Sequence, residues 1–304
     1  MGHSHGHAQG GHGTAAGQHR KRLAGALALT AGFMVVEAVG GLLTGSLALV
    51  ADAAHMLTDA AGLALALIAI RFAERPATPR KTFGYVRLEI LSALLNAVVL
   101  LLITAFILYE AVGRLLDPPP VMAGPMLAVA VVGLAVNLGS MKLLAAGASQ
   151  SLNVKGAYFE VMSDMLGSLG VIVAALVVMF TGWRLADPII GAAIGLFIVP
   201  RTWGLLRQAV HILMEGTPPE IDVGLLEAAI REIPGVRAVH DLHVWTLTSG
   251  LDALSCHVVV DDMARARDTL AAVNAMLAAR FNLTHTTVQV EDQALRDAES
   301  HRPV

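Results

Sequence analysis

Between residues 23 and 206 the chain reads as six long apolar runs separated by short polar breaks. The runs cover 23–43, 47–70, 90–112, 122–145, 159–180 and 188–206. The breaks carry turn or charge signals: TGS at 44–46, ERPATPRK at 74–81, DPPP at 117–120, GASQSLN at 147–153 and TGWRLADP at 181–188. Each run is near the ~20 residues that a helix needs to cross a ~30 Å hydrocarbon core. Buried helices of a soluble core seldom come six in succession at that length. The pattern therefore predicts a membrane α-helical domain of six transmembrane helices over residues 21–210.

After Pro218 and Pro219 the period changes. Residues 221–233 place apolar side chains at helical spacing, and VRAVHDLHVWTLT (236–248) alternates as a strand does. SGLD (249–252) reads as a hairpin turn, and ALSCHVVVDD (253–262) as a second strand. Residues 264–281 are helical, with Leu270, Val273, Leu277 and Phe281 on one face, and HTTVQVED (285–292) is a third strand. The order α-β-β-α-β predicts a small α+β sandwich of ferredoxin-like type over 211–292. A polar tail at 293–304 is expected to fray. At the other end, 1–20 is His- and Gly-rich and is expected to be disordered.

Composition agrees with the membrane reading. Of 304 residues 55% are hydrophobic and only 15% charged, too apolar for an ordinary soluble domain. Basic residues set the expected orientation. They gather at the N-terminal flank (Arg20, Lys21, Arg22), around the second connection (Arg71, Arg75, Arg80, Lys81, Arg87), around the fourth (Lys142, Lys155) and at the end of the sixth run (Arg201, Arg207). The remaining connections hold only Arg114 and Arg184. Both termini are thus expected in the cytoplasm. The polar start shows no signal-peptide core. The single cysteine, Cys256, excludes an intramolecular disulfide, as suits a cytoplasmic segment. A net charge of −3 is too small to argue for nucleic acid. His3, His5, His7 and His12 at the N-terminus read equally as a flexible polar tail or as a weak, exchangeable collector of metal ions.

The chemistry lies inside the apolar runs. The second helix should start near Ser46, an N-cap after Gly45. Within it His55 and Asp59 are four apart and share one face, with Asp52 three residues before His55. A carboxylate at mid-membrane costs roughly 3 kcal/mol, so such groups face a bundle interior or water cavity and find partners. An apolar helix cannot supply those partners, and a second half-site is expected. AYFEVMSDMLGS (157–168) in the fifth run supplies it: Glu160 and Asp164, again four apart. One imidazole and three carboxylates can enclose a divalent ion tetrahedrally, as zinc prefers, and take up protons when the metal leaves. One such pair alone would read as a helix–helix hydrogen-bond contact; two matching pairs favour an ion pathway. Asp52 is expected to cap the second helix or bond a neighbour, and Glu37 to face the same cavity. Asn96 and Asn137 are read first as packing groups, with a bridge between the third and fourth helices as the alternative, and Glu110 is expected to pair with Arg114.

These residues resemble the cation diffusion facilitators, most closely the CzcD-type bacterial members that export zinc, cobalt and cadmium. The likeness covers nearly the whole chain: the His-rich start, six spans, HMLTD in the second span, EVMSD in the fifth, and a C-terminal α+β domain containing HDLHVW. It implies a homodimeric, proton-coupled exporter in the bacterial inner membrane, with His55, Asp59, Glu160 and Asp164 as the transport site. Many zinc-transporting relatives have His where this chain has Glu160, a more anionic site that discriminates less against manganese or iron. The connection between helices 2 and 3, ERPATPRKTFGYVRLE, has no His, so a second metal site known there in some relatives is expected to be absent. Arg87 stands where relatives place a basic residue, and Glu215 is its expected acidic partner. In the C-terminal domain His240, His257 and Glu291 fall at zinc-binding positions, with His243 and His285 as substitutes and Gln289 where several relatives have His.

The expected function is alternating-access efflux of a divalent metal, zinc foremost, against protons. Zinc is both substrate and regulatory ligand, and no organic cofactor is expected. The alternatives are a membrane-embedded zinc hydrolase, for which HExxH and a general base are lacking, and a passive metal channel.

Overall fold

The structure, a computed structural model, describes residues 15–73, 75–148 and 152–299. Six long helices come first: α1 Ala15–Thr44, α2 Leu47–Ala73, α3 Leu88–Leu116, α4 Ala123–Ala148, α5 Leu152–Thr181 and α6 Ala186–Leu213. Among the described residues four helical stretches are long and apolar enough to cross a membrane: Leu88–Leu116, Ala123–Ala145, Tyr158–Thr181 and Ala186–Leu213. Ala28–Thr44 of α1 is a shorter apolar stretch. Helix α1 begins at Ala15, inside the stretch expected to be a disordered tail. His3, His5, His7 and His12 lie outside the described residues.

By internal contacts the chain falls into two compact units, Met1–Leu63 with Asn96–Trp203, and Ala64–Leu95 with Gly204–Val304. In the first, small side chains let helices approach closely. Ala48 and Leu49 of α2 meet Met126 and Ala130 of α4 and Val171, Ala174 and Ala175 of α5, all buried. The turn between α1 and α2 is pinned by specific bonds. Gly45 takes φ +72°, a left-handed value that glycine adopts without Cβ strain. The N–H of Met122 donates to Thr44 O at 3.1 Å. Ser46 caps α2 as expected, accepting the N–H of Leu49 at 3.2 Å. A second cap comes from α6. Asp187, fully buried, accepts from Ser46 Oγ at 2.5 Å, Leu47 N at 2.7 Å and Ala48 N at 3.3 Å.

In the second unit α7 (Val223–Arg231) leads into β1 (Val236–Thr248) and β2 (Leu251–Val260). A 3-10 turn and α8 (Ala266–Phe281) then lead to β3 (His285–Glu291). Asp222 starts α7 by accepting from the N–H groups of Gly224 and Leu225. The sheet order is β1-β2-β3, antiparallel then parallel. One face of the sheet meets Leu226 and Ile230 of α7 and Val273 and Leu277 of α8 around Val239, Val244, Leu254 and Val258. The expected α-β-β-α-β order holds. Of the tail expected to fray, Gln293–Glu299 forms α9, with Asp292 accepting the N–H of Leu295 at 2.8 Å, and 300–304 lie outside the described residues.

The connection from α2 to α3 belongs to this second unit and lies against its sheet. Thr248 Oγ1 donates to Glu89 Oε2, and Ser249 Oγ donates to Glu89 Oε1 at 2.8 Å. The Phe83 ring meets His285 edge-on at 5.6 Å between centroids.

Candidate metal centres

The first constellation sits among α1, α2, α5 and α6 of the first unit. Glu37, Asp52 and Asp164 are buried, with 0%, 2% and 6% of their surfaces exposed. Both carboxylate oxygens of Glu37, Asp52 Oδ2 and Asp164 Oδ1 have no hydrogen-bond partner among the described residues. The three are electrostatic neighbours, and Glu37 leans towards Asp52. With both ionised neither can donate to the other, so that contact is favourable only with a proton or cation between them. Close approach of α2 and α5 makes the cluster compact. A Cβ at Gly167 would collide with the Asp52 carboxylate, so only glycine lets this acid lie against α5. Asp52 neither caps its own helix nor faces outward; it points into the cluster.

His55 and Glu160 are neighbours across the same two helices, and Asp164 lies in reach of Glu160. Thr58 Oγ1 donates to the carbonyl of His55 at 2.7 Å, tying down the backbone that carries the imidazole. Asp59 belongs to the same helix, but its side chain lies outside what the structure describes. The tertiary fold adds a cation to this group. Arg201 of α6 grips Glu160 with both arms of its guanidinium, Nη1 to Oε1 at 3.0 Å and Nη2 to Oε2 at 2.8 Å. In the sequence Arg201 served only as a marker of orientation. Its signal was its place: a charge inside the sixth apolar run, directly after Pro200.

Other intramembrane polar groups are structural. Asn137 Nδ2 donates to Ser168 Oγ at 3.3 Å, a packing contact that links α4 to α5 and not to α3. Asn96 faces α2, where Gly62 leaves it room. Arg114 donates to Glu110 at 2.9 Å, as expected, and also to the carbonyl of Gly45 at 2.6 Å.

The second constellation is on the sheet. His240 and His257 are direct cross-strand partners on β1 and β2, with ring centroids 5.0 Å apart. Glu291 ends β3 and is fully buried. Its Oε1 contacts His240 Nε2, and its Oε2 lies 3.3 Å from His257 Nδ1. One ligand atom from each of the three residues lies within 4.8 Å of the others. Two nitrogens and an oxygen at that spacing are a donor set that zinc accepts. Gln289, beside His257 in the parallel register, donates to Glu291 Oε2 at 3.3 Å and so orients the carboxylate.

A bulge arranges the rest. Asp241 takes φ +51°, a left-handed value that Asp tolerates better than most side chains. The extra residue sets His243 opposite Ser255, on the face of His240 and His257. Yet the His243 ring turns to Asp241 Oδ1 at 3.0 Å, and His285 is taken up by Phe83. Neither joins the three-residue cluster. The pair expected between Arg87 and Glu215 forms at 2.9 Å. Glu215 closes α6 in a left-handed conformation, φ 59°, with the N–H of Gly216 returning to His211 O at 2.9 Å.

Comparison with known proteins agrees with this architecture. Residues 23–214 match the family described as "Cation efflux transmembrane domain", and 218–293 match "Cation efflux protein, cytoplasmic domain". The chain is 49% identical over 291 residues to the metal cation efflux system protein CzcD of Cupriavidus metallidurans, covering 95% of this chain and 90% of that one. It is 42% identical over 289 residues to the cadmium, cobalt and zinc/H(+)-K(+) antiporter of Bacillus subtilis, covering 93% of each. It is 42% identical over 303 residues to the zinc transporter ZitB of Escherichia coli, covering 99% of this chain and 96% of the relative. The protein belongs to the cation efflux family, also called the cation diffusion facilitators. It is a multi-pass membrane transporter of metal cations and not an enzyme, which removes the hydrolase reading.

Proposed function

We propose that this protein exports divalent transition-metal ions, zinc foremost with cobalt and cadmium, from the cytoplasm by proton-coupled alternating access. One observation carries the reading. Glu37, Asp52, Glu160 and Asp164 converge from α1, α2 and α5, three of them buried, and Arg201 pairs with Glu160. Such an excess of negative charge in apolar surroundings calls for exchangeable cations. The relatives' names point the same way: two export or transport metals, and one is named as an antiporter with H(+).

In this reading His55, Asp59, Glu160 and Asp164 hold the metal, and Glu37 and Asp52 carry the negative field behind them. Loading requires deprotonated ligands, and protons arriving from the far side displace the ion. His240, His257 and Glu291 hold a regulatory zinc in the cytoplasmic domain. A tetrahedral zinc takes four ligands, so water or the second protomer of a homodimer fills the remaining position. The Arg87–Glu215 pair fastens the connection before α3 to the end of α6. Both termini lie in the cytoplasm of a bacterium, and the protein sits in its inner membrane.

The test is zinc uptake into proteoliposomes under an imposed pH gradient. Wild type should transport, Asp164→Ala and Asp59→Ala should each lose at least about tenfold, and collapsing the gradient should stop net flux. Undiminished transport in both variants would refute the site. Flux indifferent to the gradient would refute antiport and favour a passive channel.

A further inference from the structure

The guanidinium of Arg201 occupies both oxygens of Glu160, at 3.0 and 2.8 Å. A bidentate guanidinium uses the lone pairs on the inner edge of the carboxylate, the edge a metal ion also prefers. Guanidinium and metal therefore compete for one edge of Glu160. Arg201 is no remote charge: His55 and Asp164 both lie within its electrostatic reach. The pair is also only partly buried. The Arg201 side chain is 56% exposed and that of Glu160 30%. Pro200, just before it, has no N–H to give the carbonyl of Leu196, which removes one bond from the helical turn leading to Arg201.

We propose that Arg201 is a resident counter-cation of the transport site. It holds Glu160 while the site lacks cargo, yields it as the divalent ion arrives, and takes it back as the ion leaves. This rests on the four-ligand reading given above. The consequence is a site whose fourth ligand is contested. Binding is weaker than four uncontested ligands would give, and release is faster, as an exporter requires. Arg201 thus tunes affinity and turnover without touching the metal.

The test is zinc binding to the purified full-length protein, by competition with a chromophoric chelator. His240→Ala in every variant disables the cytoplasmic-domain cluster, and the N-terminal histidines contribute equally throughout. Arg201→Gln should bind zinc about fivefold tighter, the scale of a partly exposed ion pair removed from the competition. The same change should lower the maximal transport rate in proteoliposomes. With Glu160→Gln already present, Arg201→Gln should change affinity less than about twofold, because no carboxylate is left to contest. A purely structural role for Arg201 would weaken binding. Weaker or unchanged affinity in Arg201→Gln overturns the proposal. So does a gain that persists undiminished beside Glu160→Gln, which would make Arg201 a distant field and not an occupant. Asp164→Ala separates the two levels. If it binds zinc as tightly as its parent, the transport-site reading fails. If it loses zinc while Arg201→Gln leaves affinity alone, only the role of Arg201 fails.

Discussion

Replacing Asp187 by Ala removes one carboxylate and opens the N-terminus of α2. Asp187 is fully buried and accepts from Ser46 Oγ at 2.5 Å and Leu47 N at 2.7 Å, with Ala48 N further off at 3.3 Å. Hydrogen bonds to a charged group contribute ~1.5–3 kcal/mol each, and a buried donor left bare costs ~1–3 kcal/mol. The negative charge also favours the N-terminal end of the helix dipole. Against this, Ser46 keeps its own bond to Leu49 N and can turn its hydroxyl elsewhere. The net loss should be about 3–4 kcal/mol. For a domain near 200 residues each kcal/mol moves Tm by roughly 2–4 °C, so a fall of about 10 °C is expected. Thermal unfolding in detergent, followed by loss of the monodisperse peak on gel filtration, measures it. Asp187→Asn, which keeps one acceptor oxygen, should fall between wild type and Ala. Ser46→Ala should cost less in the Asp187→Ala background than alone, because the two share a bond. An Asp187→Ala protein melting within about 2 °C of wild type would refute the trans-cap as a stabilising element.

Three further outcomes follow from the packing. Gly167→Ala would push a methyl into the Asp52 carboxylate and should cost ~1–3 kcal/mol with a clear loss of zinc transport. Gly139→Ala, with nothing within 4 Å of its Cβ, should be neutral, and equal behaviour of the two would count against the close α2–α5 approach. Glu89→Ala removes the acceptor of Thr248 and Ser249, so trypsin should cut faster after Arg80, Lys81 or Arg87; an unchanged digestion rate would show that this contact restrains nothing. Burial pushes the Cys256 thiol from 9.0 up to about 11. The fold keeps the thiol protonated where the unfolded chain ionises, so stability is intact below about pH 9 and falls by roughly 2–3 kcal/mol as pH climbs towards 11. Urea midpoints at pH 8 and 10.5 should differ less for Cys256→Ala than for wild type.

The six-helix domain was legible because lipid is an undemanding reader. Apolar length alone marks a span, and titratable residues within one stand out against it. The i, i+4 spacing of Glu160 and Asp164 placed them on one face before any fold was known, and Ser46 could be named as a cap from its neighbours. The strands of the C-terminal domain were equally plain, since alternation with period two needs only local sequence. Other features depended on residues far apart in the chain. Nothing local links Asp187 to Ser46, or Glu89 to Thr248. The bulge at Asp241 brings His243 onto the face of His240 and His257, because one extra residue resets which side chains share a face, and the contact with Asp241 then turns its ring aside. For Asp52 the sequence left open a cap on its own helix or a bond to a neighbour, and only the bare backbone of Gly167 on α5 shows where its carboxylate can lie.

The sequence by itself determined that this chain spans a membrane with six helices, ends in an α+β domain, and carries paired metal-type ligands on two helices. Hydrophobic length and helical period are local properties, and each residue carries its share of them. Only the tertiary structure decided what stands beside those ligands. It drew Glu37, Asp52 and Asp164 into one buried cluster, and it set Arg201 of α6 on Glu160 of α5. Electrostatics acts through space, so the partner of a buried charge is chosen by packing and not by spacing along the chain.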